Sequence, residues 1–190
     1  MGASAQPALM LGILTAAVAA AAVNPARAQL QNENLLAPLP SGYKVDHQER
    51  KGQQLISEMV PSGETVKNWT EMVTVQIFFG ATVTPEQFKV RMEKIWGDAC
   101  PGSSSRSIPS APERGYAVQM WTLFCQRNPQ TGQPENTWFK AIKGADSFYL
   151  VQKAFKFTPS KEQEAKWLDY LGKVSVCDNR VPARACPKGM

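Results

Sequence analysis

The chain has 190 residues and a formal net charge of +5, from 21 Lys and Arg residues against 16 Asp and Glu residues. This small excess of positive charge argues against a specific nucleic-acid-binding protein, which concentrates many basic residues on one face. The sequence contains no internal repeat, coiled-coil heptad or low-complexity domain, so its length fits a single globular domain.

The first 28 residues differ from the rest because they contain no Asp, Glu or Lys. A continuous apolar run at 8–23 is followed by Ala26-Arg27-Ala28, which predicts a signal peptide over 1–28 that is cleaved after Ala28. A transmembrane anchor is the alternative, but the 16-residue run at 8–23 is shorter than the roughly 20 residues that span a bilayer. We expect a periplasmic or secreted protein that keeps no stable transmembrane anchor after cleavage.

Three parts of the predicted mature chain differ in composition. Residues 29–41 are polar and contain two prolines, which predicts an extended lead-in. A single domain is expected over 42–176, and a basic tail closed by a disulfide is expected over 177–190. The domain begins with two strands around a turn near Lys51-Gly52, and a third strand is predicted at 69–80.

Two helices are predicted from their capping residues and their apolar periodicity. Thr84 can cap a helix over 85–98, with Pro85 at its first position and Gln87 completing a capping box. Thr158-Pro159 has the same residue pair and predicts the start of a second helix. In both segments apolar side chains recur at a spacing of three to four residues, as one face of a helix requires.

The remaining elements lie between and after the helices. Residues 101–115 have the composition of a flexible surface loop. A strand rich in large apolar residues is predicted at 116–126, and a hairpin at 137–157 that turns at Gly144-Ala145-Asp146. The order β-β-β-α-β-β-β-α lacks the strand–helix alternation of a parallel sheet. We therefore expect an α+β fold, with an antiparallel sheet of about six strands and two main helices packed against it.

A strand that opens with a tryptophan and leads into a Thr-Pro-Glu helix start occupies Trp69 through Glu86. In this feature and in its element order the sequence resembles PsbP-like α/β sandwich domains. It also resembles small secreted proteobacterial proteins of unassigned activity. The resemblance to PsbP-like domains implies a binding or assembly module and supplies no functional residue.

The predicted mature chain has four cysteines, Cys100, Cys125, Cys177 and Cys186. In an oxidising compartment an even number predicts two disulfides, for which three pairings are possible. We favour Cys100–Cys125 and Cys177–Cys186, because each pair closes a local loop. The spacings match neither a C-x-x-C redox motif nor a zinc site, so the sequence predicts no metal site and no cofactor.

Common catalytic motifs, including the P-loop, H-E-x-x-H and G-x-S-x-G, are absent from the sequence. His47 is the single histidine, and a turn at Lys51-Gly52 would place Asp46 opposite Ser57, on the other face from His47. That register argues against a Ser-His-Asp relay. Glu71 falls on the apolar face of the third strand, where a paired structural charge is favoured over a catalytic carboxylate.

Lysines alternate with aromatic residues in the hairpin at 137–157. Such a platform can bind an anionic polymer or a lipid headgroup. The alternative is a strand pair whose aromatic residues fill the core while its lysines are solvated on the other face. The candidate binding residues are Trp138, Lys140, Lys143, Lys153 and Lys156.

These observations favour a secreted or periplasmic, non-catalytic binding or interaction module, whose partner is an anionic envelope polymer or another envelope protein. Two alternatives stay open: an inhibitor or effector that docks on a protein through 101–115, and a hydrolase that acts on envelope material through carboxylates. Two close acids with raised pKa values would favour the hydrolase. A projecting rigid loop at 101–115 would favour the inhibitor.

Overall fold

The computed structural model describes residues 32–188, so the predicted signal peptide at 1–28 lies outside the described residues. The described chain forms nine strands, two α-helices and a short 3-10 helix at Pro182–Arg184. In chain order the main elements are β1 (Glu33–Leu36), β2 (Tyr43–Lys51), β3 (Gln54–Pro61), β4 (Glu71–Phe79), α1 (Pro85–Ala99), β5 (Ser104–Ile108), β6 (Ala117–Cys125), β7 (Glu135–Lys143), β8 (Ser147–Phe155), α2 (Lys161–Lys173) and β9 (Ser175–Asp178).

Seven strands form one antiparallel sheet in the order β2-β3-β4-β8-β7-β6-β5, and β1 pairs with β9 in a separate ladder. The predicted α+β fold with an antiparallel sheet and two main helices is confirmed. The sheet has seven strands where about six were predicted, because Ser104–Ile108 pairs with β6. The prediction of a loop over 101–115 is wrong for that stretch, since main-chain pairing forms a strand from mostly exposed serine-rich sequence.

The sheet is covered on both faces. On one face Phe88, Met92 and Trp96 of α1 pack against a cluster that includes Trp121 and Phe139. On the other face α2 and the β1–β9 ladder cover a second cluster, centred on Trp138, Phe155, Trp167, Leu171 and Val176. Both faces of β7 and β8 are therefore buried, and each large side chain contributes roughly 1.5–3 kcal/mol by leaving water.

Both helices begin with a capping box. In α1 the Thr84 hydroxyl accepts a hydrogen bond from the Gln87 N–H (3.2 Å), and the Gln87 side chain accepts one from the Thr84 N–H (3.1 Å), as predicted. The predicted start of α2 at Thr158-Pro159 is wrong by two residues. Ser160 is the N-cap, and Gln163 completes its box, while Pro159 is buried just before it.

The lead-in segment contains β1, which the sequence analysis did not predict. The Glu33 carboxylate accepts hydrogen bonds from the three backbone N–H groups of 145–147 and from the Tyr149 hydroxyl (3.0 Å). A Cβ atom at Gly144 would collide with this carboxylate, so a larger residue there would displace the Glu33 side chain from the turn. The first strand is thus fastened to the β7–β8 turn by charge-assisted hydrogen bonds.

The four cysteines pair as predicted. Cys100–Cys125 ties the end of α1 to the end of β6, with Cα atoms 6.0 Å apart, and Cys177–Cys186 ties β9 to the tail, with Cα atoms 4.9 Å apart. Two disulfides indicate an oxidising, extracytoplasmic compartment. Neither helix of the described chain has both the length and the apolar character needed to cross a membrane.

Candidate functional site

Lys153, a residue of the predicted patch on β8, is fully buried. Its Nζ donates hydrogen bonds to the Glu71 carboxylate (2.6 Å) and to the Tyr43 hydroxyl (2.8 Å). It also lies 3.9 Å from the ring centroid of Trp167 and 4.4 Å from that of Phe155. The protein's own carboxylate and aromatic rings therefore hold this cation, which leaves no face of it open to a partner.

The electrostatics of this cluster are those of a closed ion pair. Burial lowers the pKa of Lys153 to about 8, and its hydrogen bond to Glu71 opposes the shift. Burial also raises the pKa of Tyr43, and the neighbouring Glu71 carboxylate adds to that shift. A lysine with a lowered pKa can serve as a base or nucleophile. Here its Nζ is out of reach of solvent, and Glu71 is the paired structural charge that the sequence favoured.

Lys140 on β7 is fully buried as well. Its Nζ binds both carboxylate oxygens of Glu113 (2.7 and 2.8 Å) and the carbonyl oxygen of Val174 (2.8 Å). The ion pair thus joins β7 to the segment before β6 and to the end of α2. Trp138, two residues earlier on the same face, packs edge-on against Phe155 with 5.4 Å between ring centroids.

The remaining two residues of the predicted patch, Lys143 and Lys156, are partly exposed and lie at opposite ends of the hairpin. Lys143 Nζ donates to the carbonyl oxygen of Gly144 (2.6 Å) in the β7–β8 turn. Lys156 Nζ lies 4.1 Å from the ring centroid of Trp69 beyond the end of β8. The prediction of one exposed basic and aromatic patch is wrong, because α2 covers the face on which its other three residues lie.

His47 lies on the edge strand β2, beside a bulge at Asp46. The bulge shifts the register, so that Ser57 pairs with Gln48 and not with Asp46 as predicted. The Asp46 carboxylate accepts a hydrogen bond from the Val66 N–H (2.8 Å) and does not approach a serine–histidine pair. Because neighbouring strand residues point to opposite faces, His47 and Ser57 do not form a relay.

The carboxyl groups of residues 32–188 that have shifted pKa values are all shifted downward. Burial opposes the lowered pKa of Glu64 and of Glu93 and is outweighed by hydrogen bonds from Thr70 and Lys89. Within this range no three His, Cys, Asp or Glu side chains are placed to hold a metal ion. The five lowered groups are Asp46, Glu64, Glu93, Glu162 and Asp178.

The segment at 101–115, proposed above as a docking loop, is held along most of its length. Its first half is β5, and Glu113 near its end forms a bridge with Tyr116 and an ion pair with the buried Lys140. It does not project from the domain as an inhibitor loop would.

A groove of about 430 Å³ lies beside the β1–β9 ladder. Leu36 and Ser175 pair across the ladder and so point to the same face. Lys173, at the end of α2, is the one charged residue among the seven that line the groove, and its side chain is exposed beside Asp169. The lining residues are Leu35, Leu36, Ala37, Pro38, Lys173, Ser175 and Pro187.

Sequence reasoning missed this groove because its walls come from the two ends of the described chain, around 35–38 and 173–187. The signal that could have found it is the apolar run Leu35-Leu36-Ala37-Pro38, which stands inside a segment classed as polar. Two other concave regions adjoin α1, and their linings include Arg91 in one and Asn128 with Glu135 in the other. Each of the three linings has one charged residue, but the groove beside β1 and β9 has the largest share of apolar exposed surface.

No protein-family model matches the chain, and no curated protein matches it. Among solved structures, the chain is similar to the Saccharomyces cerevisiae Ran-binding protein Mog1p, with 12% identity, a TM-score of 0.41, and coverage of 82% of this chain and 87% of that one. A mutant of the protein Mog1 aligns with 12% identity and a TM-score of 0.41, over 69% of this chain and 76% of that one.

The chain is also similar to LpqN, which is involved in cell envelope biogenesis of Mycobacterium tuberculosis. The alignment has 7% identity and a TM-score of 0.39, and it covers 79% of this chain and 87% of that one. At these identities and TM-scores, neither the partners nor the roles of those proteins are assigned to this chain.

Proposed function

We propose that the protein is a non-catalytic binding module of the periplasm or the cell exterior, and that the groove beside β1 and β9 binds an amphiphilic envelope molecule. The observation that carries the proposal is the lining of the groove, in which five of seven residues are apolar. Its volume of about 430 Å³ falls within the range of small-molecule sites, which are mostly apolar with few polar groups.

The ligand chemistry follows from the arrangement of the lining. The Leu35–Pro38 segment lines the groove with apolar atoms, although Leu35 and Ala37 also pack against the core. Each CH₂ group of a ligand that is buried there contributes about 0.8 kcal/mol. Lys173 supplies the positive charge for an anionic end group. Its pairing with Asp169 is solvent-exposed and weak enough to be exchanged for a ligand. The proposal keeps the anionic envelope component expected from the sequence and moves its site from the hairpin to the groove.

Two further observations support this function. The disulfides and the predicted cleavage after Ala28 favour an extracytoplasmic location. The buried lysines Lys140 and Lys153 are each neutralised by one carboxylate, which supports a structural role for these ion pairs.

The test is calorimetric titration of residues 29–190 with dodecanoate and with dodecanol, which share one chain length. Leu36→Asp places a carboxylate in the groove and should weaken the binding of both ligands at least tenfold, because the carboxylate must be desolvated. Lys173→Gln should weaken the binding of dodecanoate and leave that of dodecanol unchanged.

The matched control is Val90→Asp, which adds the same carboxylate to α1, on the other side of the sheet, at a side chain that is 58% exposed. This variant should bind like the wild type. If dodecanoate does not bind, or if Leu36→Asp and Val90→Asp have the same affinity, the groove is not the binding site.

A further inference from the structure

One end of the seven-stranded sheet carries several cations from different strands. Gln54 of the β2–β3 turn pairs with Phe78, which pairs with Phe148 next to the β7–β8 turn, and Lys143 at that turn pairs with Ala117. The β2–β3 turn, the β7–β8 turn and the start of β6 therefore lie at the same end of the sheet. We name this surface the turn end. Its exposed or partly exposed cations are Arg50, Lys51, Arg114, Lys143 and Arg184.

The turn-end cations form no ion pair with any carboxylate of residues 32–188. Arg50 lies 4.6 Å from the ring centroid of Phe79, and Arg184 lies 4.4 Å from that of Tyr116. Arg114 donates a hydrogen bond to the carbonyl oxygen of Ala185 (3.4 Å). These contacts orient Arg50, Arg114 and Arg184, and of the five cations Arg184 has a nearby carboxylate, Asp178, whose pKa it helps to lower.

The carboxylates at this end are mostly occupied. Asp146 and Asp178 both bind Arg180, each with an oxygen 2.7 Å from a guanidinium nitrogen. Glu33 is held by the backbone of the β7–β8 turn, and Glu49 on β2 is the exposed carboxylate that remains near Lys51. Counted with Arg180, the turn end carries six cations against these four carboxylates, so its net charge is about +2.

We propose that the turn end docks the domain on an anionic phospholipid membrane. Arginine and lysine side chains close to an anionic bilayer are attracted to its surface potential, and the effects of neighbouring cations accumulate. The partly exposed Phe79 ring, which lies against Arg50, adds an aromatic group of the kind found at membrane interfaces. Both features lie on the same end of the sheet.

The test is flotation of residues 29–190 with large vesicles of phosphatidylcholine, either pure or containing 30% phosphatidylglycerol. The wild type should float with the anionic vesicles at low salt, remain unbound with the neutral vesicles, and dissociate in 0.5 M salt, where charges are screened within a few ångströms. A triple variant should lower the coefficient for partition onto the anionic vesicles on the order of 100-fold. It combines Arg50→Gln, Lys51→Gln and Arg114→Gln.

The matched control combines Lys67→Gln, Arg127→Gln and Lys161→Gln, which removes the same charge from exposed cations at the opposite end of the sheet. This variant should bind within about threefold of the wild type. Leu36→Asp should also keep vesicle binding, which separates this proposal from that of the groove. Membrane docking would be overturned if the two triple variants lost binding equally or if the turn-end variant lost none. It would also be overturned if the wild type bound an anionic polysaccharide but not the vesicles.

Discussion

At the scale of single residues, two ion pairs explain why lysines stand in the core under α2. Lys153 with Glu71, and Lys140 with Glu113, each join segments that are far apart in sequence. A buried pair contributes little net stability, but a partner left alone in the core is costly, because its charge keeps the desolvation penalty and loses its compensation. The two pairs thus favour the native pairing of elements over alternatives.

Removal of the carboxylate at Glu71 should leave the buried charge of Lys153 without a partner. We expect Glu71→Gln to lower the free energy of unfolding by about 3 kcal/mol, measured by urea denaturation at pH 7. The control is Asp98→Asn, which breaks the exposed pair with Lys94 and should leave the transition midpoint unchanged. The double variant Glu71→Leu/Lys153→Met should be more stable than Glu71→Gln, because it buries no unpaired charge. If Glu71→Gln and Asp98→Asn destabilised the protein equally, the loss at Glu71 would not come from an unpaired Lys153.

The sequence predicted the role of Glu71 but not its partner. An acid on the apolar face of a strand indicates a paired charge, yet Lys153 lies 82 residues away and reaches Glu71 only through the pairing of β4 with β8. The same lysine was expected in solvent, because strand alternation does not reveal which faces of a sheet are covered. Burial of a strand lysine is a property of the tertiary fold and not of local pattern.

At the scale of elements, the two helix starts show that the local sequence of a capping box predicts where a helix begins. Thr84 and Ser160 each begin a box that ends in glutamine three residues later, and both boxes are formed. Thr158-Pro159 resembles Thr84-Pro85 in sequence, but no glutamine follows Thr158 at the third position, and Ser160 takes the cap. Reading the whole box, and not only the Thr-Pro pair, predicts the correct start.

Ser160→Ala should therefore lower the free energy of unfolding by about 1 kcal/mol, because it removes the acceptor for the Gln163 N–H. Thr158→Ala is the matched control, since it removes a hydroxyl two residues before the cap and should have little effect. Urea denaturation followed by circular dichroism distinguishes the two. A larger effect at Thr158 than at Ser160 would show that α2 begins where the sequence alone suggested.

Long elements were predicted well, and three short strands were not. The strands β1, β5 and β9 have four or five residues, too few for a periodic pattern to stand out. Each exists because a partner is available: Glu33 pairs with Asp178, and Ser104 pairs with Phe124. The groove shares this origin, since its walls come together only when β1 meets β9.

At the scale of the whole molecule, the two ends of the described chain are bound to each other and to the sheet. β1 pairs with β9, Glu33 holds the β7–β8 turn, and Cys177–Cys186 closes the tail onto β9. Chain-entropy arguments give about 3.5 kcal/mol for the 25-residue loop of Cys100–Cys125 and about 2.6 kcal/mol for the 9-residue loop. The groove and the turn end both include residues next to these contacts. The two proposed surfaces therefore depend on the pairing of β1 with β9 and on the hydrogen bonds of Glu33.

The free energy of unfolding depends on pH through all the groups whose pKa values change on folding. We expect it to have a maximum at alkaline pH. Burial lowers the pKa of Lys153 to about 8 from an ordinary value of 10.5. Between these values the unfolded chain binds more protons, so stability should rise with pH by up to about 1.4 kcal/mol per unit. Burial raises the pKa of Tyr170 to about 12 and also raises the pKa of Tyr43 and Tyr149. Above about pH 10 the unfolded chain therefore loses tyrosine protons that the folded chain keeps, and stability should fall.

Urea denaturation between pH 7 and 11 tests this profile, with a maximum expected near pH 10. The double variant Glu71→Leu/Lys153→Met is the control, because it removes the lysine that titrates and its carboxylate together. Its stability should not rise between pH 8 and 10, yet it should still fall above pH 10, since Tyr149 and Tyr170 lie outside the replaced pair. The stability of the wild type could instead stay constant between pH 8 and 10, or the double variant could show the same rise. Either result would mean that the Lys153 ammonium is not desolvated in the folded protein.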